Sequence, residues 1–355
     1  MFPFVRRRVC FGRVHRRSGN VLFCCPQMCE NLFQFLSNYK ITKNEKQQRG
    51  GFLLKQILSF PYGGRKDAEL PKGWLLWHSY NKSADDRDSK LFLRTPDGTV
   101  KTIRGDDFIH AMNGHFGQSP EQFTFMAIDK AANIWDIYLY NKGEIVNLTK
   151  NSGFRNEDPK FSPDGKTIVF KRGYWNNDVN DFVYNLALLD VNTKAITMLT
   201  DNSAEEAMPY FSEDGKYIYY ASYTNEIGSI GRLDLITKTS ETIFSENGVN
   251  AYYPIVSGHK LYFTKWFSAY NPHDQIMCYD GETITSLPFN SDKYDCSDAC
   301  PIGGDKMVFS STMNGSYDLY YYDGSSVSPL TELNSHKDDL GADFFAADSY
   351  KRILR

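Results

Sequence analysis

Eleven side chains are candidates for chemistry: the histidines His110, His115 and His273, the acids Glu157, Asp158, Glu205, Glu206, Asp298 and Asp339, and the tryptophans Trp175 and Trp266. Histidine titrates near neutrality and binds metals through a neutral ring nitrogen, so three of them together would permit a metal or general-base site. Carboxylates gathered around one opening would draw cations, amines or a basic peptide. A hard divalent cation would need about six to eight oxygens at short range, which sequence spacing does not establish. Indole rings beside Asn and Asp side chains suit a sugar, because the rings supply apolar area and the polar tips fix hydroxyls. The Trp175 stretch reads Gly173-Tyr174-Trp175-Asn176-Asn177-Asp178, and the Trp266 stretch runs on to His273-Asp274.

None of these residues falls in a catalytic motif. The chain has no G-x-S-x-G, Walker loop, G-x-G-x-x-G or H-E-x-x-H. No catalytic residue and no metal ligand is assigned, and a divalent cation is the only cofactor that the acids would suit. The eleven residues are scattered over some 230 positions, so only the fold can bring them together.

That fold is written as repeats. Asp158-Pro159-Lys160-Phe161-Ser162-Pro163-Asp164-Gly165-Lys166 leads into the apolar run Thr167–Phe170, and Met208-Pro209-Tyr210-Phe211-Ser212-Glu213-Asp214-Gly215-Lys216 leads into Tyr217–Ala221. Asp-Gly suits a two-residue hairpin, whose central residues both take positive φ. With the residue after each turn as an anchor, Lys72, Gln122, Lys166, Lys216, Lys260, Lys306 and Lys351 recur every 44–50 residues. Each repeat then shows an alternating outer hairpin, such as Asp136–Tyr140 into Glu144–Leu148 and Asp318–Tyr322 into Val327–Leu330. Four strands per period predict an all-β chain folded as a β-propeller of four-stranded blades. The count is six blades. A seventh would require Tyr350–Leu354 to pair with Phe52–Phe60. The first repeat lacks an innermost strand, and the orphan Gly341–Phe345 is expected to supply it, closing the ring and hiding a free edge.

Three Ser-x-Asp-Gly-Lys and tyrosine-rich segments carry a family resemblance: Phe161–Lys166, Phe211–Lys216 and Asp318–Asp323. The strand-ending pairs Leu148-Thr149, Leu199-Thr200 and Leu330-Thr331 add to it. Over roughly Lys72 to Arg355 the chain resembles TolB-like β-propellers. The resemblance implies a binding or scaffolding propeller and brings no catalytic motif with it. In such a ring, the loops leading into the innermost strands and those joining the two middle strands open on one face, around the channel mouth. The eleven candidates fall in or near those loops.

Composition sets the remaining expectations. Aromatics at 15% favour strands. A net charge of −3 argues against nucleic-acid binding by the propeller. No apolar run is long enough to span a membrane. Residues 1–66, rich in arginine before the first acid at Glu30, read as a basic, disordered extension, and residues 67–355 as the propeller. The apolar stretches near the start are too short for a secretory signal, so a cytoplasmic monomer is expected. Seven cysteines show no paired zinc spacing. The leading functional expectation is a non-catalytic propeller engaging a protein or glycan partner through its acidic, aromatic mouth. The alternative is a carbohydrate-active enzyme, a polysaccharide lyase or glycoside hydrolase, using histidines and acids on the same face.

Overall fold

In the computed structural model the Ser-x-Asp-Gly-Lys segments are turns held by their own side chains. Ser162 Oγ donates to Asp164 Oδ1 at 2.7 Å, and the Lys166 amide donates to the same oxygen at 3.1 Å. Ser212, Asp214 and Lys216 repeat both bonds at 2.7 and 3.1 Å. Only the glycines take positive φ, 69° at Gly165 and 71° at Gly215. The connection is therefore longer than a two-residue hairpin: Asp keeps an ordinary backbone, and its carboxylate organises the loop.

The structure describes residues 70–80, 89–103, 106–178, 180–224, 227–267, 272–335 and 337–349. The expected extension over residues 1–66 and the segments a seventh blade would need, 52–60 and 350–354, lie outside them. The strands run β1 (Gly73–Tyr80), β2 (Ser89–Arg94), β3 (Val100–Thr102); β4 (Phe108–Phe116), β5 (Gln122–Asp129), β6 (Trp135–Asn141), β7 (Glu144–Asn147); β8 (Arg155–Phe161), β9 (Thr167–Asn176), β10 (Asp181–Asp190), β11 (Ile196–Met198). They continue β12 (Glu205–Phe211), β13 (Tyr217–Thr224), β14 (Ile227–Asp234), β15 (Ser240–Phe244); β16 (Val249–Ser257), β17 (Lys260–Phe267), β18 (Gln275–Tyr279), β19 (Ile284–Ser286); β20 (Cys296–Gly303), β21 (Lys306–Ser311), β22 (Asp318–Tyr322), β23 (Val327–Pro329), β24 (Asp338–Ala346).

Four sheets are separate four-stranded antiparallel blades, β8–β11, β12–β15, β16–β19 and β20–β23. The remaining sheet joins β24-β1-β2-β3 to β4–β7 through a single parallel bridge, Ser89 to His110. β24 pairs antiparallel with β1, so the last strand completes the first blade as the orphan segment predicted. The inner strands touch in cyclic order, β4 to β8, β12, β16, β20 and β24, and β24 returns to β4. They surround a central axis, and the described residues form a β-propeller.

Packing between blades follows from the alternation of each strand. Phe123, Phe125 and Tyr138 of the second blade meet Leu76, Leu91 and Leu93 of the first. Leu75 and Trp77 of the first blade meet Cys300, Val308 and Leu319 of the sixth. Phe289 stacks on Phe309 with ring centroids 4.2 Å apart, joining the fifth blade to the sixth. Each such fully buried aromatic contributes about 2–3 kcal/mol relative to exposure. Cys278, Cys296 and Cys300 are free and buried in these layers.

Candidate functional site

Among the described residues, every inner strand carries the same defect. The pairing register slips between Met112 and His115, Glu157 and Lys160, Ala207 and Tyr210, Tyr252 and Ile255, and Ser297 and Cys300. In the first blade it slips where Leu76 and His78 face β24. Each slip holds one residue with positive φ: Asn113, Asp158, Met208, Tyr253, Asp298 and Gly341, between 52° and 61°. A bulge re-aims the side chain it carries, and these six positions ring the axis.

Contacts between blades that are not neighbours show that the side chains meet there. Asn113 of the second blade and Tyr253 of the fifth line one small cavity with Asp158, Lys160, Met208, Pro254 and Ile255. Its volume is about 10 Å³, close to the minimum for one water. His115 of the second blade lies 3.4 Å from the hydroxyl of Tyr210 in the fourth. Asn113 Nδ2 donates to Asp158 Oδ1 at 2.8 Å, and the Gly341 amide donates to Asp298 Oδ2 at 2.9 Å. At Gly341 a Cβ would meet His78 Cε1 at 2.5 Å and Nδ1 at 2.7 Å, so the His78 ring occupies that place in the circle.

The channel floor is charged and buried. Asp158 is 3% exposed, and its Oδ2 has no partner among the described residues. Burial pushes its carboxyl above the ordinary range. Lys160, 9% exposed, is lowered by burial, against which Asp343 and Asp158 act. Its ammonium lies 5.9 Å from the Tyr210 ring centroid. Burial lifts Asp343 to about 6 despite Lys160 and the Phe116 amide, which donates to it at 2.7 Å. Burial holds His78 down at about 3 and keeps His115 well below its usual value, so both rings are neutral.

At the mouth, a second cluster joins the fifth and sixth blades. The Asp274 amide donates to Asp295 Oδ1 at 3.0 Å, and His273 Nδ1 lies 3.2 Å from the same oxygen. Tyr317 donates to Asp274 Oδ2 at 3.1 Å, and Tyr252 bonds the same carboxyl. Burial first, and then the Asp295 charge, raise Asp274 to about 7. Asp274 and Asp295 belong to the loops predicted to open on the mouth face. Neither is among the eleven candidates. What distinguishes them is a meeting of two connections 21 residues apart, which no local pattern displays.

The eleven candidates separate into three groups. Asp158, Asp298 and His115 face the channel. His110 is buried against Ser89 and Trp135. Glu157 is buried between Arg155 and Lys171, and Lys171 also reaches Glu205 at 2.8 Å. Burial pushes Glu157 up, but the two cations outweigh it, and its carboxyl is held below the ordinary range. Glu206 accepts bonds from Thr200 and Asn202, and Asp339 from the Ser335 amide at 2.9 Å. These acids fasten a blade's last strand or loop to the next inner strand, which also explains the Leu-Thr pairs: Leu199 packs at the edge of the core, and Thr200 ties the Leu186 amide to Glu206. The third group lies on the middle loops. Trp175, 50% exposed, packs edge-on against Phe182 at the tip of the long β9–β10 hairpin. Trp266 donates to the Pro272 carbonyl at 2.9 Å, and His273 adjoins the Asp295 cluster. Among the described residues, no group of three or more His, Cys, Asp or Glu side chains is placed to hold a metal ion.

Solved structures share this architecture. TolB from Acinetobacter baumannii matches with a TM-score of 0.60 at 17% identity, over 78% of this chain and 68% of that one. Hydrazine synthase from Kuenenia stuttgartiensis matches with a TM-score of 0.64 at 14% identity, over 78% and 47%. A puromycin-hydrolyzing peptidase of Mycobacterium tuberculosis matches with a TM-score of 0.52 at 11% identity, over 77% and 47%. The chain thus spans about half the length of the latter two. These likenesses establish a TolB-like propeller fold. No protein-family profile and no curated protein sequence matches the chain. Among the described residues no helix is long and apolar enough to cross a membrane.

Proposed function

We propose that this chain is a binding propeller that engages a protein partner through the mouth of its channel. The observation that carries the reading is the cluster at that mouth. Asp274 and Asp295 gather there with Tyr252 and Tyr317, and Asp298, which faces the channel, acts electrostatically on Asp274 and Tyr252. Clustered carboxylates in a low-dielectric recess focus negative potential and favour a basic segment. The half-exposed Trp175 offers an aromatic anchor on the same face, of the kind that dominates binding energy at interfaces. The likeness to TolB is consistent with a binding role.

The test is selection of a random displayed peptide library on the full chain, with a glycan array in parallel. The expected result is enrichment of peptides bearing lysine or arginine, with binding weakened by Trp175→Ala or Asp298→Asn. Failure to enrich any peptide sensitive to those substitutions overturns the protein reading, and glycans held through Trp175 would replace it.

One observation favours a second reading, the carbohydrate-active enzyme. Asp274, raised to about 7 beside Asp295, has the protonation range of a general acid near neutral pH. Release of reducing ends or unsaturated products from a polysaccharide panel, abolished in Asp274→Asn, would establish it. A panel with no turnover removes it.

A further inference from the structure

The mouth explains why a basic segment would approach; the channel floor identifies which cation it can accept. Asp158 is nine-tenths buried or more, one oxygen is satisfied by Asn113, and Oδ2 has no partner among the described residues. Asp158 also lines the cavity that spans the axis. A buried carboxylate oxygen without a donor is strongly unfavourable, and a charged donor relieves it most. The inner strands bring three carboxylates to the channel, Asp158, Asp298 and Asp343, and one ammonium, Lys160; the other cation acting on Asp158, Lys171, is already held by Glu157 and Glu205. The local balance leaves room for another positive charge. At about 10 Å³ the cavity holds one water-sized group. A primary ammonium is the most compact organic cation head, and it suits so small a space better than a planar guanidinium or a quaternary ammonium.

We propose that the floor of the channel is a primary-ammonium site, in which Asp158 Oδ2 accepts a hydrogen bond from the –NH3+ of a lysine side chain or a small alkylamine. The proposal rests on the channel being the binding surface, and it names the chemistry of what enters. Lys160 is the element that limits affinity, because its like charge lies beside the same carboxylate.

The probe is n-butylammonium chloride, titrated calorimetrically into the full chain at constant ionic strength, with 1-butanol and tetramethylammonium as comparisons. Saturable binding of butylammonium is expected, with neither comparison displacing it. Asp158→Asn keeps an acceptor for Asn113 and should lower affinity about tenfold or more. Lys160→Met should raise affinity several-fold, a change of opposite sign that loss of structure cannot produce, and it keeps the test decisive if Asp158→Asn does not fold. Absence of saturable butylammonium binding to the wild type overturns the proposal, since a resident water then serves Asp158. Equal affinity in wild type and Asp158→Asn, or weaker binding in Lys160→Met, does the same. If peptides still bind at the mouth through Trp175, only the floor site has failed. If butylammonium binds while no peptide does, the floor site stands without the protein partner.

Discussion

Asp274→Asn tests the mouth cluster through the pH dependence of stability. In the unfolded chain an aspartate ionises near pH 4; in the folded protein burial and Asp295 raise Asp274 to about 7. Below pH 4 the group is protonated in both states and contributes nothing to the balance. Between pH 4 and 7 folding takes up a proton, so stability falls as pH rises, by up to about 1.4 kcal/mol per pH unit. Above pH 7 the loss is complete. A shift of this size corresponds to about 4 kcal/mol for a fully buried group. Asp274 is only partly shielded from solvent, which reduces the figure to about 2 kcal/mol, with about 1–2 kcal/mol of it expressed between pH 5 and pH 8. Asparagine cannot ionise and still accepts from Tyr317. Urea unfolding of both proteins at pH 5 and pH 8 isolates the effect, since titrations that are not coupled to Asp274 cancel in the difference. The variant should gain about 1–2 kcal/mol on the wild type between the two pH values. A difference that stays constant within about 0.5 kcal/mol would falsify the argument.

Gly341→Ala places a methyl group at a φ of 61° and within 2.7 Å of two His78 ring atoms, whereas Gly98→Ala, at a φ of 89°, meets nothing within 4 Å. Denaturant melts should show a loss of about 3 kcal/mol for the first and about 1 kcal/mol for the second, the excess being displacement of His78; equal losses would mean that His78 yields freely. Glu206→Ala strips the acceptor from Thr200 and Asn202 and should destabilise by about 1–3 kcal/mol without weakening selected peptides. Weaker peptide binding at unchanged stability would return Glu206 to the binding surface.

The repeat was legible because its determinants are local. Ser162, Asp164 and Gly165 build their turn within six residues, and the same three types do so again at Ser212, Asp214 and Gly215. The closing strand could be read by subtraction, since one blade lacked an inner strand and one strand lacked a blade. The roles of the acids were harder to read. Glu157, Glu206 and Asp339 stand in the right loops, but each turns to a nearby partner instead of the opening: Lys171 across the same hairpin, and Thr200 and Ser335 in the preceding loop. A carboxylate before an inner strand serves equally as a rim charge or as a fastener, and its loop does not distinguish the two.

The bulge residues left no signature because the backbone, not the side chain, defines them. Asn, Asp, Met, Tyr, Asp and Gly occupy the same left-handed position in turn. For a residue other than glycine that conformation costs on the order of 1 kcal/mol or more. Glycine would remove the strain, yet it stands only at Gly341, where His78 already fills the space. A ring built for stability alone would place glycine at the other positions as well. Five of the six positions instead keep a side chain, and two of those are the carboxylates Asp158 and Asp298. At Asn113, Asp158, Tyr253 and Asp298 the strained position carries a polar side chain, which is the arrangement that the proposed binding channel requires.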